Sequence, residues 1–121
     1  VSPLVVLAVV LAGGTAAVVR AAVSAMFASH RGFPWAVLVV NVVGSGIGGA
    51  VLGLAERSAV TSDLAIVLLT GLCGGLTTFS TLNVETVQLV HDRRTGTAVA
   101  SVAGNLALGV AIAALAYLAL R

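Results

Sequence analysis

Three short polar breaks, Ser29-His30-Arg31-Gly32, Glu56-Arg57-Ser58 and His91-Asp92-Arg93-Arg94, cut an otherwise apolar chain into four long stretches. The stretches cover about residues 3–28, 33–55, 63–90 and 98–120. Each reaches the roughly 20 apolar residues that an α-helix needs to cross about 30 Å of hydrocarbon. Backbone N–H and C=O groups inside a bilayer have no water to bond, so each stretch must satisfy its own. The runs also lack the alternation of a membrane β-barrel. The expected fold is therefore an all-α membrane protein with four transmembrane helices, residues 1–121 forming a single four-helix transmembrane domain.

Charge supports this and excludes much else. Only 8% of the chain is charged, as six arginines and four acids, where a soluble domain carries roughly 25%. Ten charges cannot cover a water-facing surface, which argues against a soluble enzyme or a disordered tail. The net charge is only +2, and the one basic pair is Arg93-Arg94, so no nucleic-acid partner is expected. Membrane lipid is the expected surroundings. The single cysteine, Cys73, can form no intrachain disulfide and reads as a small apolar packing residue. The first stretch lacks a basic n-region and carries Arg20 where the apolar run of a signal peptide would have ended, so it reads as a span.

Four crossings place Arg57 and Arg121 on one side and Arg31, Arg93 and Arg94 on the other. Positive charge in short loops sets orientation, and so small a bias barely chooses between the two insertions. A dual-topology protein, or one half of an oppositely oriented pair, has this pattern. Trp35 and Tyr117 fall near opposite membrane faces, where amphipathic rings usually sit.

Span two repeats small residues at a spacing of four, Gly44 with Gly48 and Gly49 with Gly53. Such spacing lets helices approach closely, either within the monomer or between copies. Asn41 in the same span is costly unless its amide finds partners, on another helix or on an anion. Span three carries Gly74-Gly75-Leu76-Thr77-Thr78-Phe79-Ser80-Thr81 at mid-membrane. Paired glycines are unfavourable inside a helix and the stretch is longer than one crossing needs, so this helix is expected to break near its middle. Carbonyls freed by a break must be satisfied by protein, water or an ion, and a cation could serve. Beyond it, Thr78, Thr81, Glu85 and Gln88 share one helix face, with Phe79 and Leu82 on the adjacent stripe. Such a stripe can glue helices together or line a water-filled path. Arg20 could snorkel to the interface near Phe27 or attract an ion. His30 and His91 read as solvated.

No nucleophile, base and acid set is present, and Glu85 alone supplies no carboxylate pair, so catalysis is not expected. What remains is an intramembrane polar path of neutral donors beside a phenyl ring, a combination that suits a small anion. Hydroxyl and amide donors can replace a hydration shell, and a ring edge carries the positive part of the aromatic quadrupole. Four short helices can hardly enclose a pore alone, so an oligomer is expected.

The run Gly74-Gly75-Leu76-Thr77-Thr78-Phe79-Ser80-Thr81, with Val40-Asn41-Val42-Val43-Gly44-Ser45 and the looser Gly13-Gly14 and Arg20, resembles the signature of the Fluc/CrcB fluoride channel family. The resemblance covers essentially the whole chain. It implies an antiparallel, dual-topology dimer in the plasma membrane of a prokaryote, passing fluoride passively out of the cytoplasm through pores at the dimer interface. It also implies a structural sodium ion (Na+) at the dimer centre, held by the backbone carbonyls of Gly74 and Thr77. Asn41, Phe79, Ser80, Thr81, Leu82 and Glu85 would belong to the fluoride path, and Arg20 matches the family's span-one arginine. Leu82 departs from the pattern, because the family usually places a second phenylalanine there. That departure and the charge bias raise the alternative of a heterodimer with an oppositely oriented homologue, in which this chain is a non-conducting partner subunit. Ser101 and Asn105 receive no role from the resemblance. A small multidrug-type transporter is a further alternative, but it needs a carboxylate in the first span, where this chain has Arg20 and no acid.

Overall fold

In the computed structural model, residues 1–30 and 32–121 are described and contain helices and no strand. Arg31, counted above among the loop charges, lies outside them. Among the described residues four helical segments are long and apolar enough to cross a membrane: Pro3–Met26, Trp35–Glu56, Ser62–His91 and Thr95–Leu120. The first, second and fourth are the continuous helices α1 (Pro3–Met26), α2 (Trp35–Glu56) and α6 (Thr95–Leu120). The third is composite. It runs through α3 (Ser62–Ile66), a π-helical stretch over Val67–Cys73, and α4 (Gly74–Leu76), then resumes after two extended residues as α5 (Phe79–His91). Local sequence starts these helices in ordinary ways. The Ser2 hydroxyl accepts from Val5 N with Pro3 in the first turn, and the Thr61 hydroxyl accepts from Leu64 N at 3.2 Å.

The spans assemble as two glycine-seamed pairs of parallel helices. Asn41 bonds Asn105, 64 residues further along the chain, and the same offset relates Ser45 to Gly109, Gly49 to Ala113 and Gly53 to Tyr117. A constant offset repeated every fourth residue means that α2 and α6 run side by side in the same direction, the i±4 ridges of each fitting the other. A Cβ on Gly49 would overlap the Ala113 carbonyl, so backbone lies against backbone there. α1 and the third span form the other pair. A Cβ on Gly71 would come within 2.9 Å of the Val9 carbonyl oxygen, and one on Gly75 would overlap that of Gly13.

Gly44 and Gly48 instead face the third span, where a Cβ would meet the Thr77 side chain and, at 3.9 Å, Leu69 Cδ2. These contacts of the span-two glycines all lie within the protomer. The innermost cluster, Ala16, Val40 and Leu76, ties the two pairs together. α2 is the most buried span and α1 the least, with Leu4, Leu7, Val10 and Leu11 exposed as befits side chains that meet lipid.

Two helices end with a non-glycine residue in the left-handed region, Ser58 and Arg93, both at φ 59°. At the first, Ala59 N bonds Leu54 O and Ser58 N bonds Ala55 O; at the second, Arg94 N bonds Leu89 O and Arg93 N bonds Val90 O. This is the Schellman closure that glycine usually supplies. Ser58 is exposed, and Ser58→Gly removes a steric cost of about 1–2 kcal/mol, offset in part by the larger entropy of glycine in the unfolded chain. The expected net gain is several tenths to about 1 kcal/mol, read as a higher midpoint for unfolding in mixed micelles.

Candidate functional site

The site is organised by the interruption of the third span. Thr77 (φ −79°, ψ 155°) and Thr78 (φ −149°, ψ 117°) are extended between two helical halves. In a bilayer their four backbone polar groups must all find partners. Each does. Thr77 N donates to Cys73 O at 3.0 Å, and Thr77 O accepts from Arg20 Nη1 at 3.2 Å. Thr78 N donates to Asn41 Oδ1 at 2.8 Å, and Thr78 O accepts from Asn41 Nδ2 at 3.2 Å. The Asn41 amide thus pairs with one residue's N–H and C=O together, as a neighbouring strand would. Arg20 is turned to the break, where its guanidinium meets the carbonyl end of the first half-helix. That arrangement favours a cation.

The third span breaks near its middle, as expected, and the residues that leave the helix are the two threonines after the glycine pair. Gly74 is helical at φ −62° and ψ −35°, and Gly75 stays helical within α4. Gly75 serves the close approach to Gly13, and the chain leaves the helix three residues after Gly74. There two β-branched threonines, weaker helix formers, have partners waiting on Arg20 and Asn41. Thr78 then starts α5 as its N-cap, its hydroxyl accepting from Thr81 N at 3.2 Å and donating to Thr81 Oγ1 at 3.0 Å. Ser80 Oγ lies 3.4 Å from the same hydroxyl.

Four of the six proposed path residues line two cavities, and the other two do not. Asn41, Thr77, Phe79 and Leu82 line an open cavity of about 420 Å³ beside the break, together with Asn105. Glu85 lines a smaller one, about 240 Å³, near the His30 and Arg94 loops, where its Oε2 has no protein partner. Ser80 and Thr81 are exposed on the outer face of α5, and Gly74 is exposed one turn before the break. Phe79 is 76% exposed, whereas Leu82 is 9% exposed and belongs to the protomer's own packing. Thr78 is buried at the head of the polar stripe, so only its later members reach the surface. Asn105 was passed over in sequence. It is buried, accepts from Asn41 Nδ2 at 2.9 Å and donates to Ser101 O at 2.8 Å. The signal was available, since an amide in the middle of span four is as costly as the one in span two. No group of three His, Cys, Asp or Glu side chains that could hold a metal occurs among the described residues.

A sequence model of the family described as CrcB-like protein, Camphor Resistance (CrcB), matches residues 7–117. The chain belongs to the CrcB family. Among its relatives is the fluoride-specific ion channel FluC of Thermus thermophilus, 35% identical over 113 residues, covering 92% of this chain and 90% of that protein. FluC 1 of Mycobacterium bovis is 41% identical over 118 residues, covering 95% and 89% of the two chains. FluC 2 of Rhodococcus jostii is 38% identical over 112 residues, covering 93% and 95%. With four membrane-length apolar helices, this CrcB-family chain is a multi-pass membrane protein.

Proposed function

We propose that this chain is a fluoride-selective channel subunit that works as an antiparallel, dual-topology pair in a prokaryotic plasma membrane and exports cytoplasmic fluoride passively. It is not an enzyme. The observation that carries the reading is the outward-facing polar surface of α5. Ser80, Thr81 and Asn83 are exposed on the protomer at mid-span, beside an exposed Phe79, where lipid would leave polar groups unsatisfied. A second copy covers that face and turns the cavities into paths between subunits.

Anion chemistry fits the same place. α5 begins inside the membrane, so its N-terminal peptide dipoles put positive potential beside the exposed hydroxyls of Ser80 and Thr81. Those neutral donors can replace water around a small, strongly hydrated anion. The curated relatives carry the name fluoride-specific ion channel, which supports fluoride as that anion.

The other side of the break suits a structural sodium ion. Backbone carbonyls are the hard oxygen donors that such an ion takes, and Thr78 N bonds Asn41 instead of the Gly74 carbonyl four residues before it. Thr77 O accepts from Arg20 and has a second lone pair. Gly74 and Thr77 of two copies would hold the ion, which would supply a fixed positive charge near the fluoride path.

Fluoride release from liposomes containing this chain alone, followed with an ion-selective electrode, tests the reading. The expected result is rapid fluoride loss while chloride is retained in a parallel preparation. Leu82 favours one second reading, since it lines the cavity beside Phe79 without supplying a ring. In that case well-folded protein alone releases no fluoride, and co-expression with an oppositely oriented homologue restores release.

A further inference from the structure

Both side-chain amides beside the break have their orientation fixed by one backbone group. Thr78 N can only donate, so the Asn41 atom 2.8 Å from it is the oxygen. Asn41 Nδ2 must then face the other way, toward Thr78 O at 3.2 Å and Asn105 at 2.9 Å. A donor there requires Asn105 to present Oδ1. This leaves Asn105 Nδ2 against the Ser101 carbonyl at 2.8 Å, which is an acceptor and completes the chain without conflict. Both protons of Asn41 Nδ2 are taken within the protomer.

We infer that Asn105 is a positioning residue that acts through Asn41, holding its amide in the plane in which it clasps both polar groups of Thr78 and so fixing the start of α5. The placement on the seam supports this. Asn41 and Asn105 are one rung of the constant-offset ladder between α2 and α6, whose next rungs are Ser45 with Gly109 and Gly49 with Ala113. α6 is thereby held at the level of the break, and Asn105 is itself anchored to its own helix through Ser101 O, so it has little freedom to turn away. Without it, one proton of the half-buried Asn41 amide loses its protein acceptor, and the amide gains by rotating off Thr78 to find another. The claim concerns the geometry of the break and rests on the channel reading only where flux is measured.

The test is amide exchange at Thr78, read by NMR on the ¹⁵N-labelled full chain in micelles, with fluoride release measured on the same variants. Asn105→Ala is expected to speed Thr78 exchange roughly tenfold, the effect of losing one buried hydrogen bond, and to lower flux alongside. In an Asn41→Ala background, where exchange is already fast, adding Asn105→Ala changes it by less than about twofold. Asn105→Thr, whose hydroxyl donates to the carbonyl of Ser101 and accepts from Asn41, gives exchange nearer the unsubstituted value than alanine does. Unchanged Thr78 exchange in Asn105→Ala overturns the inference, whether or not flux falls, because Asn105 would then act on the ion directly or not at all. Equal acceleration with and without Asn41 overturns it as well. If either alanine variant fails to fold, Asn105→Val, which has the shape of threonine without the acceptor, and Asn41→Ser are read by the same comparisons. A lack of flux from the unsubstituted chain counts against the channel reading, while the exchange comparison still decides the role of Asn105.

Discussion

Replacing Gly75 by valine is expected to abolish the folded protein, whereas alanine at Gly14, one residue from the glycine it packs against, is expected to be harmless. A single Cβ on Gly75 would overlap the carbonyl oxygen of Gly13 and lie 2.9 Å from its C and Cα atoms. Those are backbone atoms of α1, and no rotamer change removes them. The helices would have to move apart, and in lipid their association depends on van der Waals contact at close range, with no hydrophobic drive to compensate.

Helix propensity works the other way, since alanine is favoured over glycine by about 0.8–1 kcal/mol. Overpacking costs about 1–3 kcal/mol and more when backbone must yield, so the steric term wins at Gly75 even for alanine. Valine adds two further methyl groups. At Gly14 nothing lies within 4 Å of the added Cβ, and only the propensity gain is left. Denaturant titration of the purified variants in mixed micelles measures the contrast. A stable Gly75→Val protein would show that α1 and the third span do not meet through their glycines.

The contrast also shows what sequence could reveal. Four spans were legible because membrane length and continuous apolarity are properties of one segment at a time. Neighbouring spans were not legible. Gly49, Gly53, Gly71 and Gly75 looked alike as small residues, and only the assembled registers show which lie on α6 and which on α1. The break near the middle of the third span was legible, but the residues that leave the helix were not, because the glycine pair that signals it is held helical by tertiary contact. Thr77 and Thr78 could become extended because Arg20 and Asn41 bond their backbone, and those bonds reach across 57 and 37 residues. Asn41 stands out as an amide inside a span, and the same argument applied to Asn105 finds its partner. The π-helical stretch over Val67–Cys73 has no sequence signal that we recognise.

Phe79 and Leu82, adjacent on one stripe of α5, are expected to respond to substitution in opposite ways. Phe79 is 76% exposed on the protomer, so Phe79→Ile removes almost no packing from it, and surface substitutions of this kind stay within about 0.5 kcal/mol. Isoleucine keeps apolar bulk but has no polarised ring edge. If that edge lowers the barrier to a passing anion by about 1.4 kcal/mol, at the strong end for aromatic contacts, fluoride release slows about tenfold with the fold intact.

Leu82 is 9% exposed, and Leu82→Ala leaves a void inside the protomer that costs about 2–5 kcal/mol by analogy with buried leucines elsewhere. Its loss of flux should therefore track a loss of folded protein. The paired measurement is unfolding midpoint and fluoride release on both variants. Slow release from a fully stable Phe79→Ile protein places the phenyl ring in the conducting path. Unchanged release would mean that the ring is merely a lipid or subunit contact, and the polar face of α5 would have to select the anion without it.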